Sequence, residues 1–409
     1  MRCEDFSRRD FLKLTGAGAM AASLPLSFSE IASAAVATPL PAKTPIVVLV
    51  TLYGGNDGLN TLVPYLDSTY YSSRPGISVD QSTVLPLGDG LGFNPAMKNF
   101  ASLWNAKQLT IVRGVSYPKP DLSHFSSMAI WQTASPATSV STGWIGRWLD
   151  AQPLNPMLAV SVGNTMPPAF AGAKQSGSVM PATGFKLPTG TALSQFKSLG
   201  AQTAGASPVT QNAALSIANL YQMAGTVTSQ LALGAPKPVD STLQNVGNTN
   251  LSSQLDAVAT LINAGAPTRV WEVSIGGFDT HADEVTTQNA LIGGATDSVA
   301  RFMSQIAGTK RANDVTVVVY TEFGRRVKAN AAQGTDHGTS NAVYVVGKSG
   351  VGGFIGDEPS LTQLDSTGNM LMTTDFRDVY GSILEDLLAT PVGKIIPGWK
   401  TKLPLFASK

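Results

Sequence analysis

Residues Ile46–Leu52 form a nearly continuous apolar run that leads, through Tyr53, into the turn Gly-Gly-Asn-Asp-Gly. Hydrophobicity that does not alternate predicts a strand buried on both faces, as in a parallel sheet. Three later segments repeat the pattern, and each is followed by a turn: VWEVSI, VTVVVY and NAVYVV. Because helical patterns separate most of these strands, we predict an α/β protein whose mostly parallel sheet is covered by helices on both faces.

Two helices are predicted to follow strand ends. One begins at Ser123 and places Phe125, Met128, Ala129 and Trp131 at helical spacing. The other covers TTQNALIGGATDSVARFMSQIAG and carries a set of apolar residues on one side. These residues are Leu291, Val299, Phe302, Met303 and Ile306.

The N-terminus has the pattern of an export signal. Ser7–Lys13 contains twin arginines followed by phenylalanine and leucine, and the apolar run behind it is too short to span a membrane stably. With Ala-Ser-Ala as a cleavage site, residues 1–34 are predicted to be a twin-arginine signal peptide, the alternative being a buried N-terminal helix. Residues 35–409 are then one α/β domain of a periplasmic or secreted protein. Within it, residues from about 153 to 260 are poor in charge and in strand patterns, which indicates an inserted helical or loop-rich subregion.

Composition excludes several classes of protein. The only cysteine, Cys3, lies in the signal, so the mature chain has no disulfide and no thiolate ligand. The signal holds four basic and four acidic residues, so its removal leaves the formal net charge at +1. Without a basic stripe or a long apolar span, neither a nucleic-acid partner nor a membrane anchor is expected.

Polar residues with metal-binding chemistry cluster at predicted strand ends. Ligands bind beyond the carboxyl ends of strands in such sheets, and all three histidines of the chain fall at these places or at a helix start. Carboxylate oxygen and imidazole nitrogen together suit zinc, manganese or iron, whereas each residue alone could be an ordinary turn or cap residue. The candidate metal ligands are Asp57, Asp279, His281, Glu322, Asp336 and His337.

Three further residues are candidates for catalysis. Ser123 and His124 stand at a helix N-terminus, where backbone N–H groups favour anions and a nearby metal would lower the pKa of a serine hydroxyl. Arg325, with Arg326 beside it, could hold an oxyanion bidentately. The alternatives are a helix cap for Ser123 and a solvated loop for the arginines.

Several motifs together resemble a known family. LYGGNDGLNTLVPY, SHFSSMAIWQTA, GGFDTH, TEFGR, DHGTSNAVYVVG and TDFRDVYGSIL, behind a twin-arginine start, resemble the exported bacterial family called domain of unknown function 1501. That family is grouped with the alkaline phosphatase and sulfatase superfamily. The resemblance implies an alkaline-phosphatase-like, doubly wound sheet with metals at the strand ends.

The superfamily pattern carries over only in part. It implies that Asp57 binds metal, that Ser123 is the nucleophile and that the final histidine is His337. Asp279 and His281 resemble an Asp–His ligand pair, but the phosphatases space the two residues farther apart. Glu322 retains a carboxylate, but Phe323 stands where the phosphatases carry a histidine. His124, which has no counterpart there, is a candidate replacement.

The expected function is hydrolysis of a phosphate, sulfate or related ester of a small molecule or glycan. One or two divalent ions are expected, zinc or manganese first and calcium as a further option. The absence of cysteine disfavours a sulfatase with a cysteine-derived nucleophile. Two alternatives remain open: a non-catalytic periplasmic binding or assembly protein, and a transferase that moves a phosphate-linked group onto a surface glycan.

Overall fold

The structure is a computed structural model that describes residues 40–155, 157–182, 194–195, 198–201, 214 and 249–407. The predicted signal peptide, and most of the predicted insertion between 153 and 260, lie outside these residues. Among the described helices, none is long and apolar enough to cross a membrane.

A central sheet of nine strands organises the part of the chain that the structure describes. Its strand order is β13-β5-β12-β9-β1-β8-β6-β7, and β14 pairs with β5 beside β13. The strands are β1 (Ile46–Leu52), β5 (Leu109–Ser116), β6 (Ala159–Val162), β7 (Ser178–Met180), β8 (Val270–Ile275), β9 (Val315–Tyr320), β12 (Asn341–Val346), β13 (Gly353–Ile355) and β14 (Thr374–Asp375).

The sheet is parallel except for β12, which runs antiparallel to both of its neighbours, β5 and β9. The carboxyl ends of the other eight strands therefore share one edge with the beginning of β12. This reversal decides which loops meet, because residues that precede β12 reach the same edge as residues that follow β1, β8 and β9.

Strand β1 shows why the run from Ile46 to Leu52 has no polar face. All seven residues are buried, and alternate side chains enter two different cores. Val48 and Val50 belong to one core, whereas Val47 and Leu49 belong to the other. Helices cover both faces, so the predicted α/β class, with a mostly parallel sheet, is confirmed.

The helices of the described residues divide between the two faces of the sheet. Residues of α2, α5 and α6 enter the core that contains Val48, and residues of α3, α4, α7 and α8 enter the core that contains Val47. A shorter α1 lies beside the loop after β1. The helices are α1 (Ser68–Ser73), α2 (Lys98–Asn105), α3 (His124–Thr133), α4 (Trp144–Asp150), α5 (Thr249–Asn263), α6 (Glu284–Ala307), α7 (Phe376–Ser382, continued by a π-helical turn, Ile383–Leu387) and α8 (Val392–Ile395).

The two predicted apolar helix faces have different outcomes. On α6, Val299, Phe302, Met303 and Ile306 are buried as predicted, and Leu291 is partly buried. On α3 the prediction holds for Met128 and Trp131 but is wrong for Phe125, which is 90% exposed, and for Ala129, which is exposed. Phe125 and Ala129 are four residues apart and therefore lie on one side of α3, the side that faces solvent. Ser127, Met128 and Trp131 lie on the buried side.

Two small antiparallel elements complete the carboxyl edge. Strands β2 (Leu62–Val63), β3 (Leu85–Gly88) and β4 (Leu91–Phe93) form a three-stranded sheet after β1. Strands β10 (Arg325–Ala329) and β11 (Thr335–His337) form a hairpin between β9 and β12. Within the predicted insertion, β6 and β7 extend the edge of the central sheet and α5 packs against α6; the domain boundaries remain a prediction.

Candidate metal centre

Four connections bring polar side chains to the carboxyl edge of the sheet. Asp279 and His281 follow β8, and Glu322 follows β9. His337 ends β11 and precedes the reversed strand β12, while His124 begins α3. These segments are remote in sequence, with His124 lying 198 residues from Glu322.

Three imidazole nitrogens gather around one carboxylate oxygen. The Nε2 atom of His337 lies 3.1 Å from Nε2 of His124 and 2.9 Å from Nε2 of His281. Oδ1 of Asp279 lies 3.3 Å from Nε2 of His124, 3.0 Å from Nε2 of His281 and 3.1 Å from Nε2 of His337. We call these four residues the histidine cluster.

Three of these ligand atoms, Nε2 of His124, Nε2 of His337 and Oδ1 of Asp279, lie within 3.1–3.3 Å of one another and fit three corners of a tetrahedral metal site. A zinc ion about 2.0–2.1 Å from nitrogen and oxygen ligands holds the ligand atoms about 3.3–3.4 Å apart. The separations of 3.1–3.3 Å among these three atoms need only a few tenths of an ångström of outward movement to accommodate such an ion. Nε2 of His281, 2.9 Å from His337 and 3.0 Å from Asp279, lies outside this group of three, so its ring must move toward His124 to bind the same ion. Asp279, 46% exposed, and His281, 45% exposed, also leave one side of the cluster open to solvent.

Each histidine directs its second ring nitrogen at an oxygen acceptor. Nδ1 of His124 lies 2.8 Å from Oε1 of Glu322, and Nδ1 of His337 lies 2.7 Å from the carbonyl oxygen of Leu122. Nδ1 of His281 lies 3.5 Å from Oδ1 of Asp336, a longer and more exposed contact. Acceptors of this kind set the tautomer and orientation of metal-binding histidines.

The hydrogen-bond partners of the Nδ1 atoms indicate which ring nitrogen of each histidine carries the proton. With that assignment, several lone pairs face one another inside the cluster. If Nδ1 of His124 and Nδ1 of His337 each donate a proton, both Nε2 atoms of the neutral rings carry lone pairs. Those lone pairs face one another and the carboxylate of Asp279, with no hydrogen between His124 and His337 to join them. A divalent cation at the centre removes this repulsion, so the residues present fit a metal ion.

Arg325 fixes the position of Asp279. It is fully buried, and its Nη2 atom donates to Oδ1 of Asp279 at 2.7 Å. Its other N–H groups bond backbone carbonyls, among them those of Gly55 at 2.6 Å and Thr335 at 3.0 Å. Burial acts to raise the pKa of Asp279, but the hydrogen bond and charge of Arg325 outweigh it and lower the pKa to about 2. The guanidinium therefore has no free face for substrate, unlike the oxyanion role predicted for it.

Phe323 forms the apolar floor of the cluster. Its buried ring packs against His124, with ring centroids 4.8 Å apart, and against His337, at 5.0 Å. Gly55 lies beneath it with φ of +66°, and a Cβ atom there would fall 2.4 Å from the Phe323 ring. Phe323 stands where the resemblance to the phosphatases implies a histidine, and its ring supports two other histidines instead.

Ser123 is exposed at the start of α3, one residue before His124. Its hydroxyl makes no capping hydrogen bond, although serine is favoured at this position for that bond. The first intrahelical bond of α3 runs from Ser127 N to Ser123 O. The backbone N–H groups at 124–126 lie before it and find no acceptor within the described part of the chain, so this helix start can receive an anion.

Asp57 lies in a separate, fully buried group of polar residues. Its carboxylate pairs with the Arg74 guanidinium and accepts from the backbone N–H of Leu59 at 3.2 Å, and the buried carboxyl group of Glu284 lies near it. Arg74 also donates to the backbone carbonyls of Val327 and Arg326. Glu284 accepts from Asn60 and Thr335, as described below. We call Asp57, Arg74, Glu284, Asn60 and Thr335 the Asp57 cluster.

The structure thus divides the predicted site residues into three groups. It brings His124, Asp279, His281 and His337 together. It places Glu322 and Asp336 behind histidine rings, and Arg325 behind Asp279. It engages Asp57 with Arg74, away from the histidines, so its expected ligand role finds no support in this placement.

Sequence reasoning missed three contributors. Arg74 and Glu284 each stand outside the quoted turn motifs, and Leu122 contributes only a backbone carbonyl. An arginine at a helix end or a glutamate within a helical pattern seldom carries a visible mark of burial. Only Glu284, at the first position of α6, had a signal, because acids are common in a first helical turn.

A mixed, mostly parallel α/β sheet with a candidate mononuclear metal centre at its carboxyl edge is the class that the fold and site define. A family model described as "Protein of unknown function (DUF1501)" matches residues 116–386, and the chain therefore belongs to this family, as predicted. A twin-arginine translocation signal model matches residues 5–25. The chain thus carries a twin-arginine signal for export to the periplasm or beyond, which confirms the predicted localisation.

Solved structures with a similar chain path come from several bacteria. A protein in the alkaline phosphatase superfamily from Vibrio parahaemolyticus is 11% identical, with a TM-score of 0.40 over 88% of this chain and 74% of that one. The lipoteichoic acid synthase LtaP from Listeria monocytogenes is 10% identical, with a TM-score of 0.37 over 94% and 78%. The C-terminal periplasmic domain of EcEptC from Escherichia coli, in complex with zinc, is 10% identical, with a TM-score of 0.35 over 76% and 75%.

No conclusion about activity or ligands follows from similarity at this level. A comparison with curated proteins finds no match.

Proposed function

We propose that this exported protein binds one divalent metal ion through the histidine cluster and hydrolyses a phosphate, sulfate or related ester of a small molecule or glycan. The observation that carries the proposal is the convergence of Nε2 of His124, Nε2 of His337 and Oδ1 of Asp279 within 3.1–3.3 Å of one another, with Nε2 of His281 2.9–3.0 Å from the latter two atoms. The acceptors behind the rings support it, because they direct lone pairs inward.

The donor set favours particular ions. Three imidazole nitrogens and one carboxylate oxygen suit zinc or manganese, whereas calcium prefers six to eight oxygen ligands. One ion is proposed rather than two, since the carboxylate of Asp57 is already neutralised by Arg74. The ion, when bound, would polarise an ester oxygen and lower the pKa of a nearby hydroxyl.

Ser123 is the proposed nucleophile. Its uncapped hydroxyl is exposed beside His124, and the N–H groups that begin α3 favour an anionic ester. The serine oxygen bonds to phosphorus or sulfur and loses its proton, while the alcohol departs and takes up a proton. Water then releases the acid and restores the serine. His124 contributes its Nε2 to the cluster, so it acts as a ligand rather than as a free base.

A second candidate, a non-catalytic binding or assembly protein, is favoured by one observation. Four protein donors are available in the histidine cluster, and sites with four protein ligands are usually structural, whereas catalytic zinc sites keep a position for water. In that case the metal holds α3, the β8 connection and the β10–β11 hairpin together without turning over an ester.

Metal analysis tests the first step of the proposal. Protein that has folded in the cytoplasm and been exported is expected to contain about one zinc or manganese ion per chain. His337→Ala and Asp279→Asn should lose it, whereas Asp89→Asn should not, because Asp89 is an exposed acid whose nearest cation is Arg113. Wild-type protein that neither contains nor takes up a divalent ion would overturn the metal centre.

Turnover tests the second step. Ser123→Ala is expected to keep its metal and to lose at least about 1,000-fold in turnover on a panel of phosphate and sulfate esters. Full turnover by Ser123→Ala excludes this serine as the nucleophile. Metal-loaded wild type that cleaves none of the esters supports the non-catalytic candidate.

A further inference from the structure

Glu284 joins three segments at the edge of the metal centre. It is fully buried at the first position of α6, three residues after His281. Its Oε1 accepts from Nδ2 of Asn60 at 3.0 Å, and its Oε2 accepts from the hydroxyl of Thr335 at 2.7 Å. Thr335 lies two residues before His337 on β11, so a single carboxyl group connects the segments that carry two of the proposed ligands.

Backbone contacts make this connection stiff. Thr335 N donates to the carbonyl of Thr280, next to His281, at 3.2 Å, and Glu284 N donates to the carbonyl of Gln333 at 2.9 Å. Gly334 packs so closely on His281 that a Cβ atom would fall 2.3 Å from its carbonyl carbon. A change in the Glu284 carboxyl group is therefore transmitted to the separation of His281 and His337.

The Asp57 cluster needs a proton in order to be balanced. It contains two buried carboxyl groups but one buried guanidinium, which pairs with Asp57. A second buried carboxylate would have no cation to balance it, since among the described residues the Glu284 oxygens accept only from the amide of Asn60 and the hydroxyl of Thr335, so one of the two carboxyl groups is expected to carry a proton. Arg74 holds Asp57 as the carboxylate, which leaves the proton on Glu284.

We propose that Glu284 is a positioning residue that acts as a neutral carboxylic acid, donating to Asp57 and holding the segments of His281 and His337 at metal-binding distance. This role rests on the proposed metal centre. Burial, followed by the negative charge of Asp57, raises the pKa of Glu284 to about 9, in accord with the geometry.

Other charged groups near Glu284 do not titrate across the range that a test requires. Asp57 and Arg74 are its charged neighbours, and Arg325 acts on Asp57 from the β10 side. Burial acts to raise the pKa of Asp57, but Arg74 outweighs it and keeps the pKa below its usual value. Tyr70, which contacts Asn60, has its pKa raised by burial. Between pH 6 and 9, Glu284 is thus the group in this cluster whose protonation changes stability.

Two substitutions of Glu284 distinguish a role as a neutral hydrogen-bond donor from a role that only fills space. The amide of Glu284→Gln can donate to Asp57 and accept from Asn60, and the Thr335 hydroxyl can turn to accept. Glu284→Leu has a similar volume but removes the acceptor that Glu284 supplies to Asn60 and Thr335. Measured by titration with zinc at pH 7, Glu284→Gln should bind within about threefold of wild type, and Glu284→Leu about 10- to 100-fold more weakly.

The pH profile tests the proton itself. A carboxyl group with a raised native pKa contributes stability below its unfolded pKa and loses it as pH rises toward its native pKa. The Tm of metal-free wild type minus that of Glu284→Gln should therefore fall by about 2 °C or more between pH 6 and 9. If the Tm values of wild type and Glu284→Gln change equally with pH, the proposal is wrong, and this comparison can be made even if Glu284→Leu does not fold.

Failure of this inference is distinguishable from failure of the metal centre. Wild-type protein that binds no zinc contradicts the proposed function but leaves the pH comparison measurable. Zinc binding by wild type together with parallel pH curves, or equal zinc affinity for wild type and Glu284→Leu, contradicts the role of Glu284 alone.

Discussion

Two groups of polar side chains share the carboxyl edge of the central sheet, and they balance their charges in different ways. The Asp57 cluster is closed, since Arg74 neutralises one carboxylate and a shared proton neutralises the other carboxyl group. The histidine cluster is open on one side, and its inward-facing lone pairs have no proton or guanidinium at their centre. Among the residues of the histidine cluster, the side chain of Arg325 contacts only Asp279.

The difference teaches that a strand-end carboxylate is not in itself a metal ligand. Asp57 and Asp279 both follow buried parallel strands, and both have an arginine partner. Asp57 is enclosed by its partners, whereas Asp279 keeps 46% of its side chain exposed and directs Oδ1 at three imidazoles. What surrounds the acid, rather than its place at a strand end, decides whether a cation is required.

The largest expected effect comes from opening the closed cluster. Arg74→Met leaves Asp57 as an uncompensated buried carboxylate and should lower the free energy of unfolding by about 3–5 kcal/mol. Chemical denaturation of the metal-free protein measures this loss, and the folded variant should still bind zinc.

Arg301→Met is the matched control for that change. Arg301 pairs with Asp256 at 2.8 Å, but both side chains are partly exposed, so the loss should stay within about 1 kcal/mol. Equal losses in the two variants would contradict the view that Arg74 substitutes for a cation in a closed cluster.

A smaller effect is expected from weakening the acceptor behind His124. Glu322→Gln keeps a hydrogen-bond acceptor for Nδ1 of His124 but removes a buried charge. Zinc affinity should fall about 10- to 100-fold, or about 1.4–2.7 kcal/mol, as measured by titration calorimetry. Unchanged affinity would mean that Glu322 supports only the Gly54 loop, to whose backbone N–H it also binds at 2.9 Å.

The smallest effect is expected at Asp336, the equivalent acceptor behind His281. Its carboxylate is 52% exposed and lies 3.5 Å from Nδ1 of His281, so solvent screens the contact. Asp336→Asn should change zinc affinity less than about threefold in the same measurement. A loss of zinc affinity as large as that of Glu322→Gln would show that the contribution of these acceptors does not depend on how deeply they are buried.

Much of the fold could be predicted from local pattern. The run at Ile46–Leu52 indicated a strand buried on both faces, and β1 has alternate residues in two cores. Phe125 shows the limit of such patterns, because this apolar residue in the first turn of α3 lies on the side of the helix that faces solvent.

The candidate site could be predicted as a set of residues but not as a geometry. All three histidines were expected at the carboxyl edge, and the structure places them there. That Glu322 stands behind a ring while Asp279 faces the centre could not be read from the chain, because both are acids that follow buried strands.

The sequence alone determined the α/β class, the export signal and the edge of the sheet where polar groups gather. These follow from periodicity and short motifs, which report local burial and local chemistry. Only the tertiary structure decided that reversed strand β12 returns His337 to that edge and that Arg74 takes Asp57 out of reach. Those outcomes depend on strand order and packing between residues as far apart as His124 and His337, 213 positions away, and no local pattern encodes such contacts.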